Sequence, residues 1–585
     1  MDLGSKGFTE PPGEAINPRG PDGATPGGES LSTPEISLLD SRRIWGFLLK
    51  ALCLEPRPSS KLRFWPAIML AAICLLTAYI GAVPTLIYGH DTFYFLENGW
   101  RTLYGLRPQL DYWSPWGPLM FLIVASGMKL ANASPNAIGY GSSLFGLAIG
   151  LWTYRLGRHR FASVPRLAFS LFAVLLVVAP YPLGVWPLTS SHAMLYNRYG
   201  YALVALVIVE CFQPPEERAG ELAGGVSSGA AAALALFLKA SFFFVALPLI
   251  AFSLFFRRPK ATRLLGLALG FGAVALMGIA YLRFDVPAIV NALRMAAAAR
   301  AQALSPQTPL WTIEGNFPPL FLALALALGA SFLNSGARNR WTQMQLPFLA
   351  VVVYLADIGL LATNAQSRAL PLLSVYSLLV INRLVIARNQ SRPESRREQL
   401  PYHAALLILF SLIFLPPLCS DVAGLAAGTL RKAHPSQARS PVRFIEPRLS
   451  ALILYDSWDA SGFQKNANGS TYTTYVNDGT SLLRRYCSSA DRVLTMDMQN
   501  PFPYALGWRP PLGGLASLTL NFTVSAQYRP SFDAYFGDST VVMVPKRPAQ
   551  VHELLDGFYA IYFPVLTQRF SLAAQSDWWW LYKRK

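Results

Sequence analysis

Two aspartates, a glutamate and a lysine stand where this chain can least easily hold charge. Asp91 and Asp111 follow the first apolar run, in an aromatic-rich stretch from Tyr88-Gly-His-Asp-Thr-Phe-Tyr-Phe-Leu-Glu97 to Asp111-Tyr-Trp-Ser-Pro-Trp-Gly-Pro118. Ionisable groups at a membrane boundary are costly to desolvate and are functional candidates by default. A carboxylate there, partly desolvated by Phe93, Phe95 and Trp100, has its pKa raised toward the range useful for taking a proton from a hydroxyl. Lys239 breaks a long apolar run and supplies a cation suited to an anionic group. Each residue also has an ordinary reading. Asp91 precedes an expected helix over 92–104 and would cap it. Glu97 and Arg101, four apart in the favourable order, make a surface ion pair. Asp111 sits where a local Asx-turn is expected, and Lys239 is placed to snorkel.

The elements that position these groups follow from composition. Of 585 residues, 53% are hydrophobic and only 14% charged, against roughly a quarter charged in soluble domains. That balance predicts a polytopic α-helical membrane protein. The net charge of +18 is not a nucleic-acid footprint. It is dispersed in short clusters, Arg42–Arg63, Arg155–Arg166, Arg257–Arg263 and Arg388–Arg397, which punctuate apolar spans in the positive-inside manner.

Eleven crossings are expected, near 65–87, 136–154, 164–181, 199–213, 226–238, 241–256, 263–283, 317–334, 345–363, 367–387 and 402–424. The apolar stretch from Trp116 to Leu130 is too short to cross and reads as juxtamembrane. Leaving it out keeps the basic clusters on one side, with the N-terminus cytoplasmic and the C-terminus outside. Gly270-Phe-Gly272 superficially fits a dinucleotide fingerprint but lies within an apolar span. Gly266-x-x-x-Gly270 reads as close helix packing. The five cysteines are scattered and imply neither a disulfide framework nor a zinc site.

Three segments are expected: a disordered cytoplasmic tail over 1–40, a transmembrane domain over 41–425 carrying the external loop 88–135, and an extracytoplasmic α/β domain over 426–585. In the last, Leu452–Tyr455, Arg492–Met496 and Ser539–Val544 read as strands. Asp577-Trp-Trp-Trp580 suits either an edge strand or an interfacial aromatic anchor. Asn468-Gly-Ser and Asn521-Phe-Thr match the glycosylation acceptor pattern, a motif too short to carry weight.

Taken in order, Asp91, an aromatic helix, Gly105-Leu-Arg-Pro108, Asp111 and Gly117-Pro-Leu119 resemble the first external loop of the GT-C superfamily. These are polytopic glycosyltransferases that use polyprenyl-phosphate-linked sugars, among them the protein O-mannosyltransferase-like and aminoarabinose transferase-like families. The resemblance covers the order of elements to about residue 425. One departure is Asp91-Thr92, where many members carry two adjacent acids.

The resemblance implies an inverting transferase in a bacterial plasma membrane. It would move a sugar from a polyprenyl phosphate to an envelope glycan, lipid or protein on the extracytoplasmic face. Asp91 and Asp111 are then the candidate catalytic acids. Lys239, Arg198 and Arg368 are candidates for the donor phosphate, and Tyr112, Glu97, His192 and Asn197 for substrate contacts. The segment 285–316, with Arg294 and Arg300, is a candidate flap over the donor. Oxygen-ligand cation sites need several carboxylates, and too few cluster here for a divalent ion to be expected. The rival classes are a transporter or flippase of a lipid-linked glycan, against which the halves show no repeat, and a receptor whose C-terminal domain binds.

Overall fold

The computed structural model describes residues 65–213, 219–256, 261–301, 307–333, 340–363, 368–390, 400–435, 442–456, 469–548 and 552–585. The expected tail over 1–40, the basic clusters at 42–63 and 257–260, and Asn468 lie outside these residues.

The protein is a bundle of apolar helices joined to a smaller α/β domain. Each of the eleven segments expected to cross a membrane is helical, from Trp65–Ile80 through Leu400–Ala433. Five described helices are long and apolar enough to span a bilayer, or six if a pair bent by 66° at Gly315–Phe317 counts as one. Helices suit that solvent because every backbone group is bonded within its own segment. The helix Leu195–Phe212 is wholly enclosed, whereas only 11% of the most apolar stretch of Ala261–Tyr281 is buried, so the latter turns its leucines outward. Leu269, Leu276 and Met277 are each more than half exposed, as a lipid-facing side requires.

The Gly266/Gly270 face packs as expected. A Cβ on Gly266 would meet the Leu222 carbonyl at 2.3 Å, and one on Gly270 the Val226 carbonyl at 2.1 Å. Gly225 and Gly229 return the same close approach from Ala219–Leu238. At the start of that helix pair, Arg160 Nη2 bonds Glu210 at 2.5 Å and Arg263 Nη2 donates to the Glu210 carbonyl at 2.6 Å. Two of the basic clusters therefore share one end of the bundle. The helix Ala219–Leu238 has 20 residues, about 30 Å at 1.5 Å per residue, and carries the chain from that end to Lys239 at the other.

The helix Pro118–Leu130 has 13 residues, about 20 Å, short of the ~30 Å hydrocarbon thickness. The segment taken as a flap forms two helices, Val286–Ala301 and Gln307–Gly315, and Ala292 packs into the core of the C-terminal domain.

The C-terminal domain is built on a four-stranded sheet, β1 (Val493–Thr495), β2 (Val541–Pro545), β3 (Phe570–Gln575) and β4 (Trp579–Arg584), in the order β1-β2-β4-β3. The β1–β2 pair is parallel and the rest antiparallel. All residues of β1 and β2 are buried, as in strands covered on both faces. Two expectations change here. The Trp-rich end is neither an edge strand nor an interfacial anchor: β4 is an inner strand, and Trp579 is fully buried with its indole N–H on the Tyr475 carbonyl at 2.9 Å. Leu452–Tyr455 joins no sheet. It makes one parallel bridge, Leu454 with Thr85, and so ties the domain to the end of the first helix.

Candidate functional site

Asp91 is the third residue of the helix Gly89–Leu103 and does not precede it. The helix starts after Tyr88, held at φ 55°, and has no side-chain cap. Freed from capping, the Asp91 carboxylate lies in the first turn, where the unbonded N–H groups favour negative charge. Its Oδ1 is 3.4 Å from His90 Nε2, and the side chain keeps 18% of its surface. Burial raises its pKa above the ordinary carboxylate value, with the neighbouring His90 opposing.

That remaining surface opens into a cavity of about 390 Å³. One wall is His90, Asp91, Tyr94, Trp116 and Tyr196; the opposite wall is Gln499, Ser517 and Thr519–Thr523 of the C-terminal domain. The aromatic rings are interlocked, Tyr94 with Trp116 at 5.1 Å and Trp116 with Tyr196 at 5.7 Å between centroids.

Lys239 lies one ring behind this wall, its Nζ 4.7 Å from the centre of the Tyr196 ring, in cation–π geometry. It sits between the helices Ala219–Leu238 and Ala240–Phe256, and its side chain is buried. The snorkelling alternative does not describe it. Its position depends on Gly117, whose N–H donates to the Leu238 carbonyl at 3.1 Å. A Cβ on Gly117 would stand 2.0 Å from the Phe237 carbonyl, so only glycine permits this approach. Pro118 then opens the next helix at a position that needs no N–H.

The other candidates lie elsewhere. Asp111 does not line the cavity. Its Oδ2 accepts from the Arg107 N–H at 2.7 Å, closing its own turn, and its carbonyl accepts from Gly513 at 2.7 Å. Glu97 and Arg101 do pair, at 3.1 Å, but not on a surface: both are buried, and Arg101 Nη1 donates to the Gly513 carbonyl at 2.9 Å. Burial pushes Glu97 up to about 7 against the pull of Arg101. Tyr112 lies under the Arg101 guanidinium at 4.7 Å. The partner that buries this pair is more than 400 positions away in sequence, and so the surface expectation fails.

His192 Nε2 accepts from the Val83 N–H at 2.8 Å, and burial, helped by Lys432, pushes it down to about 3. It is a neutral structural acceptor. Arg198 is fully buried, bonding Asp421 at 3.0 Å and the carbonyls of Tyr181 and Leu176 at 2.6 and 3.0 Å. Neighbouring Asn197 is buried, with neither amide atom bonded among the described residues. Arg368, at φ 52°, opens on a second cavity of about 270 Å³ beside Asp421. The structure thus puts Asp91 on the cavity wall and Lys239 behind Tyr196 of that wall, while Asp111, Arg198 and Arg368 do not line the cavity. Among the described residues no three His, Cys, Asp or Glu side chains converge as metal ligands.

Sequence reasoning missed the wall opposite Asp91. It is stitched to the Asp91 helix and the loop after it. Asn98 Nδ2 donates to the Ala516 carbonyl at 3.0 Å and Trp100 Nε1 to that of Trp508 at 2.9 Å. Trp113 exchanges backbone bonds with Gly514 and Ala516 and donates Nε1 to the Thr523 carbonyl at 3.2 Å. The one sequence signal there, Asn521-Phe-Thr, pointed to a different use.

No protein-family model matches the chain, and no curated protein matches it. Among solved structures it is similar to ArnT from Cupriavidus metallidurans in the apo state, with 13% identity over 88% of this chain and 97% of that one and a TM-score of 0.44. The same protein bound to undecaprenyl phosphate matches at 12% identity over 89% and 98%, with a TM-score of 0.44. The archaeal oligosaccharyltransferase AglB from Archaeoglobus fulgidus, in complex with an inhibitory peptide and a dolichol-phosphate, matches at 12% identity over 63% and 56%, with a TM-score of 0.31.

Proposed function

We propose that this chain is a membrane glycosyltransferase that moves one sugar from a polyprenyl phosphate to a hydroxyl of an envelope glycan, lipid or protein. The observation that carries the reading is the placement of Asp91. Its carboxylate caps nothing, is desolvated enough to hold a raised pKa, and keeps its free surface on a cavity walled in part by aromatic rings. The likeness of the 88–119 loop to GT-C loops supports the same reading.

In the proposed step the acceptor oxygen attacks the anomeric carbon while Asp91 takes its proton. The bond from that carbon to the phosphate oxygen breaks, and the electron pair leaves with the polyprenyl phosphate. One displacement inverts the anomeric centre. Lys239 favours the phosphate's charge from behind Tyr196. At about 8 Å and an effective dielectric of about 20, a unit charge pair is worth roughly 2 kcal/mol.

The reading places the cavity on the extracytoplasmic face of a bacterial plasma membrane. Asp91 and Lys239 lie at the far end of the bundle from Arg160 and Arg263, and basic clusters mark the cytoplasmic side. It also makes residues 426–585 extracytoplasmic. The test is transfer in nanodiscs from undecaprenyl-phosphate-linked radiolabelled sugars to an envelope extract. Label moved by the wild-type chain and not by Asp91→Asn supports the reading; equal transfer by both overturns Asp91 as the base.

A further inference from the structure

The membrane-side wall of the cavity offers an acid and the faces of aromatic rings, groups that recognise any sugar. What distinguishes one sugar from another is the pattern of its hydroxyls, and the C-terminal domain adds the amides and hydroxyls of Gln499, Ser517, Thr519, Asn521 and Thr523 to the cavity lining. We propose that the C-terminal domain reads the transferred sugar: Gln499, Ser517 and Asn521, facing Asp91 across the cavity, hydrogen-bond the hydroxyls of the donor's glycosyl unit and set which donor is accepted. This rests on the transferase reading above.

The wall is built for recognition. Thr523 Oγ1 accepts from the Thr519 N–H at 2.9 Å and donates to the Ser517 carbonyl at 2.9 Å, locking the turn from 519 to 523. Asn521 stands at its tip with φ 60°, a conformation asparagine tolerates better than most residues. Its backbone N–H donates to the Val524 carbonyl at 2.6 Å, while the residue is exposed, lines the cavity and makes no side-chain bond among the described residues. The Gln499 carboxamide oxygen accepts from the Ser517 hydroxyl at 3.1 Å, and its nitrogen reaches the carbonyls of Met498 and Ala516 at 3.3 Å. The bonds from Asn98, Trp100 and Trp113 set this wall in register with the helix that carries Asp91. Gln499 and Ser517 are held by each other and Asn521 by its turn, so a wrong hydroxyl leaves one of them unpaired.

The test uses the full chain in nanodiscs with no acceptor present. Binding is measured for bare undecaprenyl phosphate and for its glucose, galactose, mannose and arabinose conjugates. Asn521→Gly keeps the backbone conformation and removes the carboxamide; Gln499→Met keeps length and removes the amide. We expect each to lower the affinity ratio between the best and worst conjugates about three- to tenfold, the size of one neutral hydrogen bond. Bare undecaprenyl phosphate should bind both variants as it binds the wild type, which also shows that they fold. An unchanged ratio in both variants overturns the proposal. So does a wild type that binds all four conjugates equally. A wild type that binds no polyprenyl phosphate at all overturns the transferase reading itself.

Discussion

The N–H of Gly117 donates to the carbonyl of Leu238 at 3.1 Å, so the loop after Asp111 and the residue before Lys239 are backbone neighbours. Through this contact the position of a buried cation depends on the absence of a side chain in another segment.

Gly117→Ala should therefore disturb both. Its Cβ would lie 2.0 Å from the Phe237 carbonyl, and forced overpacking costs about 1–3 kcal/mol. Thermal unfolding in detergent should show a lowered Tm and transfer should fall. Gly272→Ala is the matched control: its Cβ meets nothing within 4 Å, and the variant should unfold at or above the wild-type temperature.

Asp91→Asn should abolish transfer and leave Tm within a degree or two, because no capping bond is lost. In the wild type the rate should rise with pH through the Asp91 titration. With its pKa raised by burial, that rise should sit above the ordinary carboxylate range. A profile flat from pH 4 to 8 would exclude Asp91 as the titrating base.

Lys239→Met removes the cation and keeps a side chain of similar length. Donor affinity should fall about ten- to thirtyfold, as expected for roughly 2 kcal/mol of charge interaction across the Tyr196 ring. The loss should be read as a change in donor Kd, with neutral sugar-lipid analogues bound as before.

Glu97 links pH to stability. Its carboxyl, ordinarily near 4.5, is pushed up to about 7 in the fold, so the folded state binds the extra proton between those values. Stability should be highest at the acid side and decline as pH rises from about 4.5 to 7. Glu97→Gln, neutral at every pH, should flatten that slope and hold stability near its acid-side value. Identical slopes in the two proteins would refute the assignment.

Arg198 and Asp421 should behave as one structural unit. Arg198→Met alone strands a buried carboxylate and should cost about 3–5 kcal/mol, whereas Arg198→Met with Asp421→Leu should recover most of it. Donor affinity in the double variant then separates a structural arginine from a phosphate ligand.

The membrane part of this molecule was legible because its rules are local. An apolar run must be helical, and Gly266 and Gly270, one turn apart, needed only a close neighbour. The Asp91 helix was legible too, though its start was misplaced by three residues because Tyr88 takes a left-handed φ that no pattern announces. What stayed hidden depends on contacts across the chain. Glu97–Arg101 looks exposed until Gly513 closes over it, and Trp579 looks like an anchor until Tyr475 buries it. Gln499, Ser517, Thr519, Asn521 and Thr523 are ordinary polar residues scattered among Pro, Gly and Leu, and only the fold brings them to the cavity that Asp91 lines.

That juxtaposition has a temporal side. Trp100 and its partner Trp508 are 408 positions apart, a gap of roughly 20–80 s at the usual 5–20 residues per second of synthesis. During that interval the aromatic loop emerges without the surface that covers it. The pocket closes only once residues 499–523 have been made, so a nascent chain carries Asp91 long before it carries the cavity. Premature termination between Ala433 and residue 499 would leave the helical bundle without the second cavity wall and display an uncovered patch of tryptophan and tyrosine to quality control.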